Sequence, residues 1–208
     1  MTQLSAIDNF EQIAELLEFR TDDDYYHLQI LKRKKENPEM SSNNIVITTH
    51  VIKSKKQLLG MKDDLVAICE GTRARAYINL NTKSFKRSTL EMLKEIATNV
   101  ACEQYQSHRL FDRVSGKTNS PTNDKKWILD IDDHHWLDHN MDDLETIVDN
   151  LQPLGKKVID VINTKNGKHV ICKPFNLCAW EKEIESKDAD WHFDIQKNNP
   201  TILYVPSL

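Results

Sequence analysis

The stretch Trp127-Ile-Leu-Asp-Ile-Asp-Asp133 sets three carboxylates, Asp130, Asp132 and Asp133, at the end of an apolar run. Carboxylates this close repel one another unless they are well solvated or share a cation. On a strand, residues two apart point to the same side about 6.6 Å apart, so Asp130 and Asp132 can converge on one cation or bridge two. Asp194, in a later strand-like run, is phased to add a third carboxylate, while Asp133 suits the turn that follows. Such an oxygen-rich set suits Mg2+ or Mn2+, which keep waters and take substrate phosphates as ligands. Two such ions about 3.5–4 Å apart serve in-line attack on a nucleotide phosphate, one at the attacking hydroxyl and one at the leaving pyrophosphate. His169, with Lys165 and the Asn166-Gly167 backbone, supplies donors of the kind a triphosphate accepts.

These residues meet only on a suitable scaffold. WILDID (127–132) reads as a strand, and MDDLETIVDNL (141–151) as a helix stopped by Pro153 and Gly155. KVIDVIN (157–163) and KHVICKPF (168–175) read as strands joined through Asn166-Gly167, a strong hairpin signal. LCAWEKEIES (177–186) reads as a helix, and WHFDIQ (191–196) and TILYVP (201–206) as strands. The order from 127 to 196 is then β-α-β-β-α-β, the split unit of ferredoxin-like and RNA-recognition-motif-like folds. In that unit the first and third strands are central neighbours and the fourth flanks the first. Alternation sets Ile128, Asp130 and Asp132 against Trp127, Leu129 and Ile131, and His192, Asp194 and Gln196 against Phe193 and Ile195. With the apolar sets on the helices, Asp130, Asp132 and Asp194 meet on the open face. His169 lies on the third strand.

The first half reads as an α/β lobe. Phe10, Ile13, Ala14 and Leu17 have helical spacing, and 25–33 and 44–52 read as strands. SKKQLLGM reads as a short helix. DLVAICEGTRARAYINLN reads as two strands meeting at Glu70-Gly71-Thr72. The second of them shows Arg73, Arg75, Tyr77 and Asn79 on one face, with Arg75 a candidate for contact with nucleotide or template. Ser88-Thr-Leu-Glu91 reads as a capping box opening a helix through Leu90, Leu93, Ile96, Ala97 and Val100. Residues 107–126, rich in Ser, Thr, Asn, Gly and Pro, read as a connecting loop. The expected organisation is α/β (α+β): an N-terminal α/β lobe over 1–106, a connecting loop over 107–126 and an RNA-recognition-motif-like catalytic module over 127–208. The lobe is expected to pack on the module, with the active site between them.

Composition narrows the classes. The 208 residues are enough for a sizeable core, and 39% apolar content is ordinary for a globular chain. No run approaches the roughly 18 apolar residues of a membrane span, and MTQLSAIDNFEQ lacks the features of a signal peptide, which points to the cytoplasm and no membrane partner. Cys69, Cys102, Cys172 and Cys178 form no CxxC pair, so they read as packed thiols. The net charge of −4 argues against nonspecific coating of nucleic acid. The runs 32-KRKK-35 and 53-KSKK-56 read as phosphate contacts or as solvated surface. His134, His135 and His139 match no familiar zinc spacing, and Trp127, Trp136, Trp180 and Trp191 read as packing residues.

The hhhDhD pattern of WILDID, the small-x-His pattern of 167-GKH-169 and the hydrophobic-Asp pair 193-FD-194 resemble, in order, the three motifs of archaeo-eukaryotic primases, the primase-polymerases of many phages, plasmids and nuclear genomes. The resemblance covers roughly 127–208 and more loosely the lobe ahead of it. It implies template-dependent nucleotide polymerisation with Mg2+ or Mn2+. Asp130, Asp132 and Asp194 would be the metal ligands and catalytic carboxylates, and His169 would bind the incoming nucleotide's phosphates. Lys165, Asn166, Gly167, Lys197 and Arg75 are the further nucleotide-binding candidates. The implied partners are nucleoside triphosphates and a nucleic-acid template, DNA in the first instance, with any replicative helicase on a separate chain. Gly167 stands where the family often has serine, and after Asp194 comes Lys197 rather than an arginine. No zinc-binding stem is visible.

Other readings stay open. Asp130-Ile-Asp132-Asp133 alone reads equally as a solvated strand end. A nucleotide-sugar glycosyltransferase also uses a DxD, but normally behind a parallel sheet. A haloacid-dehalogenase-like phosphatase carries its DxD on the first strand. A noncatalytic nucleic-acid-binding module, or an inactive primase relative, would use the same sheet without chemistry; such sheets usually display aromatics. Replacing Asp130 and Asp132 by alanine is expected to abolish nucleotide transfer and to leave the fold intact or slightly more stable, through relief of like-charge repulsion.

Overall fold

The computed structural model of the chain describes residues 6–104, 109–185, 187, 191 and 193–207. The structure is mixed α/β with antiparallel sheets. It divides into a first unit running to Asp124, which also takes in the chain from Leu203, and a second unit, Lys125–Ile202.

The first unit carries β1 (Ile7–Asp8), α1 (Phe10–Leu16), β2 (Asp24–Arg33), β3 (Asn44–Ile52), α2 (Lys55–Gly60), α3 (Lys62–Thr72), β4 (Arg75–Asn79), β5 (Lys83–Ser84), α4 (Phe85–Ala101) and α5 (Leu110–Ser115). The second carries β6 (Trp127–Ile131), α6 (His134–Asn150), β7 (Val158–Asn163), β8 (Lys168–Cys172), α7 (Leu177–Ile184) and β9 (Asp194–Gln196), and β10 (Pro200–Val205) follows. One sheet has the order β1-β10-β4-β2-β3, with β5 also paired to β2; the other has the order β7-β8-β6-β9.

Three expectations for the first unit are corrected. Residues 65–70 are helical, not a strand: Leu65 and Cys69, four apart, are the buried positions of α3, and Asp63 and Asp64 occupy its first turn, where the helix dipole favours them. A run of Leu, Val, Ala, Ile and Cys has no periodicity that separates helix from strand. Helix α4 begins earlier than Ser88. Ser84 caps it by accepting from the Arg87 N–H at 3.0 Å, and Ser88 is buried inside, its hydroxyl 2.8 Å from that of Tyr25. The apolar stripe of α4 faces outward, with Leu90, Leu93, Ile96 and Val100 43–60% exposed. Residues 109–124 are no loose connector: α5 lies there, and Ser120 donates to Asp24 at 2.7 Å while Asn123 accepts from the Thr82 N–H at 2.9 Å. Their Ser, Thr and Asn content reflects these bonds rather than flexibility. Residues 107 and 108 fall outside the described residues.

The second unit is built on one amphipathic sheet. Trp127, Leu129 and Ile131 of β6 and Val170 and Cys172 of β8 pack with Leu144 and Val148 of α6 and Trp180 and Ile184 of α7, so both helices cover the same face. Helix α6 starts at His134, earlier than expected, because Asp133 caps it by accepting from the N–H groups of His135 and Trp136. His135 and His139 therefore stand on a helix. Trp136 meets Trp191 and Phe193 edge-on, with ring centroids 4.9 and 5.4 Å away. These contacts anchor the approach to β9, which is shorter than expected. His192 lies outside the described residues.

Candidate functional site

Register decides which side chains meet. Asp130 pairs with His169 across β6–β8 and with Asp194 across β6–β9, and Ile162 pairs with His169 across β7–β8. Directly opposed residues of a sheet share a face, so Ile162, His169, Asp130 and Asp194 form one transverse row. The next row on the same face is Asp160, Ile171, Ile128 and Gln196. Asp130 and Asp194 are thus on adjacent strands and the same face.

The polar contacts of the row centre on Asp130. The His169 Nε2 lies 3.2 Å from its Oδ1, and Gln196 Nε2 donates to its Oδ2 at 2.7 Å. The other ring nitrogen of His169 is 2.8 Å from the hydroxyl of Thr201, at the start of β10 and still within the second unit. His169 is 7% exposed and Thr201 0%. The expected open face is a correction. Ile128, Ile162 and Ile171 on it are 2%, 0% and 0% exposed, so the carboxylates rise from an apolar surface. Asp194 is exposed at its margin.

Asp132 lies past the end of β6, exposed, rather than in the row. Among the described residues no group of three His, Cys, Asp or Glu side chains is placed to hold a metal ion. The donors are nonetheless of the right chemistry for a hard cation: two carboxylates in cross-strand register and a third just beyond the strand. Directly opposed like charges destabilise a sheet pair, and a shared cation removes that cost. Removing the Asp130 side chain would leave Gln196 Nε2, which donates to it at 2.7 Å, without that acceptor, a cost set against the expected relief of like-charge repulsion.

The turn carries the remaining candidates. It spans Thr164–Gly167 and is closed by Thr164 N–H donating to the Gly167 carbonyl at 2.9 Å and Gly167 N–H donating to the Thr164 hydroxyl at 3.1 Å. Lys165 is half-buried and Asn166 exposed there. Gly167 is needed for close approach, not for left-handed backbone: a Cβ there would stand 1.9 Å from the Ile131 carbonyl oxygen and 2.8 Å from Asp132 Cα. Serine at this position would meet the end of β6. Lys168 reaches back to Asp138 of α6 at 2.7 Å, and that hydrogen bond holds the Asp138 carboxyl below its usual range. Lys197 is exposed, its Nζ 5.6 Å from the centre of the Trp127 ring.

Arg75 is on β4 of the first unit, buried and ion-paired with Glu36. Arg73 is not on that strand; it ends α3 in the left-handed region at φ 51°. Two members of the site went unsuspected. Gln196 shared the predicted face of Asp194, so alternation held its signal. Nothing in the local pattern marks Thr201, which follows a turn and reaches His169 only in three dimensions.

No membrane-crossing helix occurs among the described residues. Compared with known proteins, the chain matches no family model, no curated protein and no solved structure.

Proposed function

We propose that the chain is a metal-dependent nucleotidyltransferase, a DNA primase or polymerase that starts or extends a strand on a template. The carrying observation is the row His169–Asp130–Asp194 across three neighbouring strands. It is supported by the connectivity β6-α6-β7-β8-α7-β9 in the order β7-β8-β6-β9, with both helices on one face. An RNA-recognition-motif-like module would have that connectivity, and the three primase-like motifs would then fall on β6, β8 and β9.

In this reading Asp130, Asp194 and Asp132 hold Mg2+ or Mn2+, which would supply charge neutralisation at the attacking hydroxyl and the leaving pyrophosphate. The carboxylates are not gathered into a closed cage, so cation binding is tight only when phosphate oxygens complete the shell. His169 presents its Nε2–H as a donor to phosphate, and Lys165 and Asn166 at the hairpin extend the anion site; Lys197, over Trp127 on the helix-covered face, is not brought to it. The apolar surface beside Asp130 strengthens the contacts that Asp130 and the buried His169 make there. No Phe, Tyr or Trp joins the two rows, and His169 is turned edge-on to Asp130 and Thr201, which favours chemistry over base stacking.

The test is a titration of wild type and His169→Ala with a nonhydrolysable nucleoside triphosphate and with a nucleotide sugar, both with Mn2+. The expected result is preference for the triphosphate and a tenfold to hundredfold loss in the variant, about 1.5–3 kcal/mol for one charge-assisted hydrogen bond. Equal triphosphate affinity in both proteins would remove His169 from the site. Preference for the nucleotide sugar would favour a glycosyltransferase.

A further inference from the structure

The hydroxyl of Thr201 has no place in the chemistry above, yet it is 2.8 Å from the Nδ1 of His169 and wholly buried. A bare ring nitrogen 3.2 Å from a carboxylate oxygen would set two lone pairs against each other, so the proton of the neutral ring belongs on the His169 Nε2 beside Asp130. In the neutral ring Nδ1 is then a bare acceptor, and Thr201 is the donor that fills it. The ring is held at both ends, by β6 through Asp130 and by the start of β10 through Thr201.

We propose that Thr201 is a positioning residue that fixes His169 as an Nε2–H donor. With Nδ1 occupied by the Thr201 hydroxyl, the ring offers no lone pair to a cation. It can only donate, to the Asp130 carboxylate or to an anion such as a phosphate that comes to lie beside it. Were Asp130 to hold a cation, Thr201 would keep the ring in place with its Nε2–H directed at the site. Outer partners of this kind set the tautomer and orientation of functional histidines, and their loss commonly costs ten- to a hundredfold in binding or activity. The link to phosphate rests on the proposed nucleotidyltransferase reading; the fixing of the ring does not.

The experiment compares wild type, Thr201→Val and Thr201→Ser, with Thr201→Ala as a second deletion should valine disturb the fold. Ring-nitrogen NMR of 15N-histidine protein, with His169 assigned by its loss in His169→Gln, reads the ring directly. Triphosphate titration with Mn2+ reads the consequence. Wild type should show a protonated Nε2 and an Nδ1 that accepts a hydrogen bond. Thr201→Val should move Nδ1 toward a bare lone pair and weaken triphosphate binding about tenfold. Thr201→Ser should restore both to within about twofold. A protonated Nδ1 in wild type, or an unchanged Nδ1 signal in both deletions, would overturn the proposal. A changed signal with unchanged triphosphate affinity would overturn the link to binding. If the signals respond as expected but wild type binds no triphosphate, the positioning role stands and the nucleotidyltransferase reading fails.

Discussion

Gly167→Ala adds one methyl group where the chain has no room for it. The new Cβ would lie 1.9 Å from the Ile131 carbonyl oxygen and 2.8 Å from Asp132 Cα, so the nearer contact is about 1.5 Å short of ordinary van der Waals separation. Both neighbours are backbone, so no side chain can swing away. The end of β6 must move from the start of β8, straining the Ile131–Lys168 pair and shifting Asp132. Overpacking of this kind costs about 1–3 kcal/mol, which for a chain of this size lowers the melting temperature by roughly 2–12 °C. Gly71→Ala is the matched control. It lies within α3 with nothing inside 4 Å of its would-be Cβ, so the same methyl should stabilise by about 0.5–1 kcal/mol. Thermal and urea unfolding of the two variants beside wild type reads both signs. A Gly167→Ala protein as stable as wild type would refute the close-approach reasoning. Triphosphate binding should fall with stability in that variant alone.

Asp130→Ala should lose about 1–3 kcal/mol by stranding the Gln196 amide that donates to it at 2.7 Å and by removing the carboxylate beside the buried His169, whereas Asp130→Asn keeps an acceptor and should stay within about 1 kcal/mol of wild type; urea midpoints separate the two. Burial pushes the Lys83 ammonium down to about 8 from its ordinary 10.5. Between those values the unfolded chain holds a proton that the fold does not, so this group makes stability rise with pH across that window. Lys83→Met should remove the rise and stabilise at pH 7 by about 1–3 kcal/mol, net of the hydrogen bond lost to Asn119; an unchanged slope between pH 8 and 10 would contradict it.

Much of the second unit was legible because its signals are local and periodic. Trp127, Leu129 and Ile131 alternate with Ile128 and Asp130, and Leu144 and Val148 repeat at helical spacing; those faces are the ones that meet in the core. Three things were not legible. The role of Gly167 depends on how closely β8 passes β6, which no dipeptide preference reports. The burial of Ile128, Ile162 and Ile171 beside Asp130 cannot be read from alternation, which places Asp130 and those isoleucines on one face but does not say whether that face is wet. In the first unit, the apolar run through Leu65–Cys69 and the serine pair Ser84 and Ser88 each offered two local solutions, and tertiary contacts chose between them.

The most direct measurement is incorporation of labelled nucleotides on primed and unprimed DNA templates with Mg2+ or Mn2+, comparing wild type with Asp130→Asn at equal folded concentration. Template-dependent product from wild type, absent without divalent cation and absent in the variant, is the predicted result. Product that persists in Asp130→Asn, or no product from wild type on any template with either cation, would contradict it.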